Sequence, residues 1–195
     1  MEITERIKAL LFNPKVAWDE ISQENIPISK ILWSYFFPLL LIPVVATFVS
    51  YGIIGYRVAF FGSVHSYELG IRSAIAMLVS TIAGTLFSTI IIDVLVPSFG
   101  SEKNFSKALQ LVIYSYTPSL IGGIFYFYYA TSLLGIILRL YGLYLLFLGL
   151  KPMMKISDDK QASFFIISLV VTIVIFSVIS FGLNEVLTSN ISYNI

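Results

Sequence analysis

The sequence predicts an all-α, polytopic membrane protein with five transmembrane helices and short amphipathic helices at its N-terminus. Of its 195 residues, 57% are hydrophobic and only 12% are charged. Five apolar stretches each approach the ~20 residues that a helix needs to cross a bilayer. The basic residues are also distributed unevenly between the polar segments that separate these stretches. Together these observations predict one membrane domain over residues 1–195.

The N-terminal segment, residues 1–28, is predicted to be amphipathic and cytoplasmic. Ile3, Ile7 and Leu10 share one side of a helix, and charged residues occupy the other. Asn13-Pro14 is typical of an N-cap followed by proline at the first helical position, which predicts a second short helix. Both helices are expected to lie at the membrane surface or against the bundle.

Five spans follow this segment. They are predicted to cover residues 30–53, 71–96, 108–129, 132–150 and 162–183. We expect prolines to bend two of them, because proline lacks the amide proton that a helix needs. Pro38 and Pro43 lie in the first span, and Pro118 lies in the third.

The basic residues predict the orientation. Nine of the twelve Lys and Arg residues lie in the N-terminal segment and in the two connections that five spans would place on the same side. Only Arg57 and Arg72 lie in segments on the opposite side. The positive-inside rule then places the N-terminus in the cytoplasm and the C-terminus outside. The expected location is the cell inner membrane, with the lipid bilayer as an obligatory partner.

The twelfth basic residue, Arg139, lies inside the fourth predicted span. Gly135, Gly142 and Gly149 recur every seven residues, and Arg139 lies on the same helical stripe. Because aligned glycines mark faces where membrane helices approach closely, we expect Arg139 to face protein rather than lipid. The simpler interpretation is that the glycines and Pro118 serve helix packing alone.

Asp93 is an acidic residue in an otherwise apolar run near the end of the second span. It ends a line of threonines at spacings of four, namely Thr81, Thr85 and Thr89. Two interpretations remain open. In the first, Asp93 and Arg139 pair and partly offset each other's desolvation. In the second, Asp93 reaches interfacial water, and Arg139 bonds to Ser119, to tyrosine hydroxyls or to the Tyr114 carbonyl that Pro118 frees.

The sequence lacks the residues that most catalytic mechanisms require. The chain has no cysteine, which excludes disulfides, thiol catalysis and cysteine-bound metals, and its single histidine, His65, lies in a predicted loop. Zinc motifs and phosphate-binding glycine loops are also missing from the sequence. The net charge of +1 argues against nucleic acid as a partner. We therefore predict no catalytic, cofactor or metal site and a protein that is not an enzyme.

Four short motifs carry a resemblance to a known family. They are Leu11-Phe12-Asn13-Pro14 followed by Trp18 and Ile21, Tyr114-Ser115-Tyr116-Thr117-Pro118, Tyr141-Gly142-Leu143-Tyr144, and Ser157 with Lys160 and Ala162. In these motifs and their order, the chain resembles the Yip (Ypt-interacting protein) domain family of five-span membrane proteins. The resemblance covers nearly the whole chain.

The resemblance implies a role in membrane organisation. Eukaryotic members of the family act with Rab-type GTPases in vesicle traffic. This chain lacks the acidic Asp-Leu-x-Gly-Pro motif that is common in their cytoplasmic segment, which counts against a GTPase partner. It looks like a member of the prokaryotic branch.

The predicted function is that of a non-enzymatic scaffold or adaptor in membrane organisation or trafficking-like processes. Other membrane proteins or a second copy of the chain are the expected partners. The alternative is a small transporter or channel that uses Asp93 and Arg139. The candidate functional or structural residues are Asp93, Arg139, Tyr114, Tyr116, Pro118, Tyr141, Gly135 and Gly142.

Overall fold

The computed structural model describes residues 2–58, 62–64, 66–127 and 131–189, so His65 lies outside the described residues. Its α-helices are α1 (Ile3–Phe12), α2 (Pro14–Gln23), α3 (Ile28–Ile31), α4 (Phe37–Val49), α5 (Tyr67–Leu95), α6 (Phe105–Ser115), α7 (Thr117–Gly122), α8 (Ser132–Met154) and α9 (Asp158–Ser189). Two π-helical segments, Leu32–Phe36 and Ser50–Ile54, flank α4. Two 3₁₀ turns, Val96–Phe99 and Gly123–Phe127, extend α5 and α7. A small antiparallel hairpin joins β1 (Tyr56–Val58) to β2 (Gly62–Val64) within the connection after the first span.

Four helical segments in the described part of the chain are long and apolar enough to cross a membrane. We call them the first to fourth spans, and they cover Ile28–Ile54, Tyr67–Phe99, Phe105–Phe127 and Leu133–Met154. The predicted all-α, polytopic class is thereby confirmed. The fifth predicted span, residues 162–183, lies within α9, which is not one of these four, and it stays a prediction.

The third span is the central helix of the bundle. Its most apolar window is 72% buried, whereas the windows of the other three spans are 22–33% buried. The last eight of the eleven residues of α6 are buried, including Leu111 and Ile113. The other spans surround it and turn their remaining apolar side chains outward, as membrane helices do toward lipid.

The two N-terminal helices, which we call the headpiece, pack against one end of the bundle. Leu10, Trp18 and Ile21 are almost completely buried, because they form the apolar faces of α1 and α2. Of the two predicted placements, the structure therefore shows the one against the bundle. Lys107, at the start of the third span, donates through Nζ to the carbonyls of Ser22 and Glu24 at 2.8 Å each.

The predicted N-cap at Asn13 is wrong in one respect. Pro14 does occupy the first turn of α2, but the Asn13 side chain makes no capping hydrogen bond. Asn13 also ends α1, where its amide donates to the Ala9 carbonyl. Its φ of −133° and ψ of 56° therefore depart from the extended conformation that aims an N-cap side chain at the next helix.

Candidate functional site

Sequence motifs that lie far apart in the chain meet where the headpiece docks onto the bundle, a region that we call the headpiece junction. The Tyr141 hydroxyl in α8 donates to the Leu11 carbonyl at 2.8 Å. The Trp18 indole meets the Tyr114 ring edge-on, with ring centroids 6.4 Å apart. Tyr114 is buried and Tyr141 is half-buried. The two tyrosines therefore connect the central third span and α8 to the headpiece.

A buried ion pair lies at the centre of the headpiece junction. Arg6 Nη2 lies 2.5 and 2.6 Å from the two carboxylate oxygens of Glu24, and the Arg6 side chain is only 4% exposed. The Arg6 guanidinium also lies over the Tyr114 ring, 5.6 Å from its centroid. A carboxylate and an aromatic face together compensate the loss of water around the guanidinium.

This ion pair was not predicted from the sequence, because the charges of α1 were assigned to the face opposite the apolar residues. The signal was nevertheless present. Arg6 follows Ile3 by three positions and precedes Leu10 by four, so all three residues share one side of α1. An arginine on the apolar side of an amphipathic helix predicts a buried partner.

A second polar contact lies deeper in the bundle. The Tyr35 hydroxyl and Thr117 Oγ1 are 2.7 Å apart and both residues are buried. The Tyr35 ring also contacts Tyr114 edge-on, with centroids 4.9 Å apart. The first span is thereby connected to the same tyrosine that lies beneath Arg6.

The third span is interrupted next to this contact. Helix α6 ends at Ser115, Tyr116 lies in a turn, and α7 begins at Thr117 with Pro118 in its first turn. The bend predicted at Pro118 is thus a break in the α-helix at Tyr116, two residues earlier. The break is expected, because proline disfavours helical geometry before it but is well placed in a first turn.

The glycines of the stripe in α8 lie against neighbouring helices. A Cβ atom at Gly142 would lie 2.8 Å from the Ser115 carbonyl oxygen. At Gly149 it would lie 2.5 Å from Leu111 Cδ1, and at Gly135 it would lie 2.9 Å from Cε1 of Tyr126. All three glycines therefore permit contacts that any side chain would block.

A groove of about 360 Å³ lies between the second, third and fourth spans and opens to the outside of the bundle. We call it the lateral groove. Gly84 and Gly142 line it, together with apolar side chains such as Met77, Leu143 and Leu146. Its polar members are Ser80, Thr81, Ser115, Tyr116, Ser119, Tyr126 and Arg139.

Arg139 lies on the wall of the lateral groove and is exposed. The expectation that it faces protein rather than lipid stays a prediction. Its Nη2 donates to the Tyr126 hydroxyl at 2.6 Å. Gly135 leaves the space that the Tyr126 ring occupies. The third and fourth spans pack closely beside this contact, since a Cβ atom at Gly122 would lie 2.9 Å from Leu138 Cδ1.

Asp93 does not pair with Arg139 among the ion pairs that the structure describes. Its Oδ1 atom is buried without a hydrogen-bond partner, although the residue as a whole is half-buried. Of the two interpretations of Arg139, the structure shows the one in which it bonds to a tyrosine hydroxyl. Each threonine before Asp93 donates to the carbonyl four residues earlier, as Thr89 does to Thr85 at 2.7 Å.

The described ranges contain no candidate metal site. No group of three or more His, Cys, Asp or Glu residues there is arranged to hold a metal ion. The site therefore consists of the headpiece junction and the lateral groove, which approach each other through the Gly142–Ser115 contact. Chemically, this arrangement offers an ordered surface at the headpiece junction and a cation at the wall of a groove that opens to the outside of the bundle.

A comparison with models of protein families places the chain. The model described as the Yip1 domain matches residues 8–181, which is most of the chain and includes the motifs named above. The comparison with curated proteins gave no match, and neither did the comparison with solved structures.

Proposed function

We propose that this chain, which belongs to the Yip1 domain family, is a non-enzymatic scaffold or adaptor that presents its headpiece to other membrane proteins. The chain is an integral membrane protein with several apolar helices. The observation that carries the finer proposal is the rigid attachment of an exposed amphipathic headpiece to a transmembrane bundle.

The attachment is specific and uses several independent contacts. The Arg6–Glu24 ion pair holds α1 to the segment after α2. The Tyr141–Leu11 hydrogen bond joins α1 to α8, and the Lys107 hydrogen bonds join the end of α2 to the third span. Such contacts restrict the headpiece to one position on the bundle. A scaffold needs a binding surface that is fixed in this way, which a flexible N-terminal segment would not provide.

The outward side of the headpiece supports a docking role. Phe12 and Val16 are 76% and 59% exposed, and they lie on either side of the turn between α1 and α2. The charged side chains of Lys8, Lys15 and Glu20 are exposed on the same two helices. A surface that is already ordered loses less conformational entropy when a partner binds, which favours recognition.

Photo-crosslinking in cells tests this proposal. A photoreactive amino acid at Val16 is expected to give discrete protein adducts, because this side chain faces the expected partner. The matched control is Ile75, which is 55% exposed on the second span and faces lipid. Protein adducts at Ile75 that equal those at Val16 would contradict a headpiece-specific partner.

A small transporter or channel is the second candidate. It is favoured by two observations, the unpartnered Asp93 carboxylate oxygen and the exposed guanidinium of Arg139. Flux into proteoliposomes separates the two functions. A scaffold is expected to give the flux of empty vesicles. Flux that Arg139→Gln abolishes and Arg72→Gln retains would replace the scaffold proposal with transport.

We further propose that the headpiece end faces the cytoplasm. The headpiece, the connection after the second span and the connection after α8 all lie at this end, as the hydrogen bond from Ser101 Oγ to the Met154 carbonyl shows for the last two. Because the chain has no cysteine, single cysteines report topology cleanly. An impermeant thiol reagent on intact cells is expected to label Ser66→Cys and to spare Ser157→Cys. The reverse pattern would overturn the orientation.

A further inference from the structure

The lateral groove contains a formal charge that the protein does not neutralise. The Arg139 guanidinium donates to a neutral hydroxyl, and no carboxylate pairs with it among the residues that the structure describes. No acidic residue lines the groove either. A cation within an apolar span is costly unless something compensates it, with at least ~2.5–3.5 kcal/mol on insertion scales. An anion supplied by the surroundings would provide that compensation.

The position of the guanidinium brings it within reach of the membrane interface. Arg139 lies seven residues after the start of α8, which corresponds to about 10 Å along the helix axis. Tyr126, its partner, belongs to the 3₁₀ turn Gly123–Phe127 at the end of the third span. The long arginine side chain is thus directed toward that end, where a lipid headgroup can meet it.

The inner wall of the lateral groove offers a second polar group. Ser115 Oγ is buried and has no hydrogen-bond partner, and Ser115 lines the groove. Space remains at Gly84 on the facing span, where a Cβ atom would come no closer than 3.8 Å to the Tyr116 hydroxyl. The remaining lining combines neutral polar side chains with apolar ones, among which are Met77, Leu143 and Leu146. A cationic rim above an apolar channel matches an amphiphile with an anionic head and a hydrocarbon chain.

We propose that the lateral groove binds an anionic phospholipid of the surrounding bilayer, with the phosphate at Arg139 and Tyr126 and an acyl chain along Met77 and Leu143. A guanidinium binds phosphate through parallel hydrogen bonds, which a lone tyrosine hydroxyl cannot replace. The groove volume of about 360 Å³ falls within the usual range for ligand sites, roughly 300–1,000 Å³. Zwitterionic lipids gain less, because the groove lacks a carboxylate to meet their ammonium group.

Lipid binding to the delipidated, detergent-solubilised full chain tests this inference. Dioleoyl phosphatidylglycerol and dioleoyl phosphatidylcholine are titrated while bound lipid is counted by native mass spectrometry. The anionic lipid is expected to bind about tenfold more tightly, a ratio that corresponds to about 1.4 kcal/mol. Arg139→Gln should reduce that ratio to near one. Equal binding of the two lipids to the unaltered protein would overturn the proposal.

Two variants and one ligand fragment keep the test specific. Arg72→Gln removes an equal charge from an exposed ion pair with Glu68 and should leave the ratio unchanged. Ser80→Phe places a ring in the lateral groove from an exposed position of α5 and should weaken binding with Arg139 intact. It also replaces Arg139→Gln if that variant fails to fold. Glycerol phosphate without acyl chains should not compete. Competition by it, or an equal loss with Arg72→Gln, would refute a lipid site.

Discussion

Two arginines, Arg6 and Arg139, lie in low-dielectric surroundings, and the protein compensates their charges to different extents. Arg6 at the headpiece junction is buried against Glu24 and Tyr114, whereas Arg139 in the lateral groove is exposed and, among the described residues, bonds to the Tyr126 hydroxyl without a carboxylate partner. The first charge is compensated by the chain itself. The second is compensated only in part, so its environment must supply the remainder.

This difference separates a structural arginine from a binding arginine. The Arg6 guanidinium is almost completely buried and has a carboxylate at 2.5 Å from Nη2, although Nη1 has no hydrogen-bond partner in the described part of the chain. Its role is to position α1 on the bundle. A guanidinium that reaches a groove with no acidic side chain is available to an anion. The two regions therefore predict losses of stability of very different size when the partner of each arginine is removed.

The largest effect is expected at the headpiece junction. Glu24→Gln should leave the Arg6 charge buried without its carboxylate, at a cost of about 3 kcal/mol or more. Thermal unfolding in detergent measures this, and Glu20→Gln on the exposed side of α2 is the matched control. If both variants unfolded at the same temperature, the ion pair would not hold the headpiece.

A smaller loss is expected where the glycine stripe meets the third span. Gly142→Leu drives a side chain into the Ser115 carbonyl oxygen, which lies 2.8 Å from the position of a Cβ atom. Overpacking of this kind costs about 1–3 kcal/mol. Leu143→Ala removes an exposed side chain one position away and should cost much less. Equal thermal stability of the two would show that this face is not tightly packed.

Removal of the Tyr126 hydroxyl, which accepts a hydrogen bond from Arg139, should lower the stability of the protein modestly. Tyr126→Phe deletes the acceptor of the 2.6 Å hydrogen bond, which is worth about 0.5–1.5 kcal/mol. Because this bond is exposed, we expect the lower end of that range. Tyr144→Phe, on an exposed tyrosine of the same α8, controls for loss of a hydroxyl. A cost as large as that of Glu24→Gln would make the two arginines equivalent and remove the contrast.

The smallest effect is expected between Asp93 and Arg139. A double-mutant cycle with Asp93→Asn and Arg139→Gln should give additive losses within about 0.5 kcal/mol, because the charges do not meet. Thermal unfolding of the two single variants and the double variant measures the coupling. A coupling above about 1 kcal/mol would mean that they interact after all, and it would favour the transport alternative.

Much of the architecture was predictable, because bilayer thickness and backbone hydrogen bonding leave few solutions for an apolar chain. The all-α class was predicted from apolar stretches alone, and the family was predicted from short motifs. The break at Tyr116 was only partly predictable, since Pro118 indicated a bend but not its exact register. The burial of Arg6 was readable from helical period but was overlooked.

The partners of the charged side chains were not predictable, because they depend on distances between spans. The sequence shows Asp93 and Arg139 in two separate apolar spans. An ion pair between them was therefore one of two reasonable interpretations. The structure instead has Tyr126 beside Arg139 and leaves an Asp93 oxygen without a partner. Helix depth, rotation and separation decide such contacts, and all three come from packing.

By itself, the sequence determined that this chain is a helical membrane protein and that its glycines recur on one face of α8. Those properties follow from hydrophobicity and from the 3.6-residue period, which act locally along the chain. Only the tertiary structure decided that Trp18, Tyr114 and Tyr141 share one junction and that Arg139 lies at a groove. These positions depend on how the helices cross and where a glycine lets two backbones touch, as Gly142 does at Ser115. Long-range packing is a property of all the side chains together, so no single stretch of sequence encodes it.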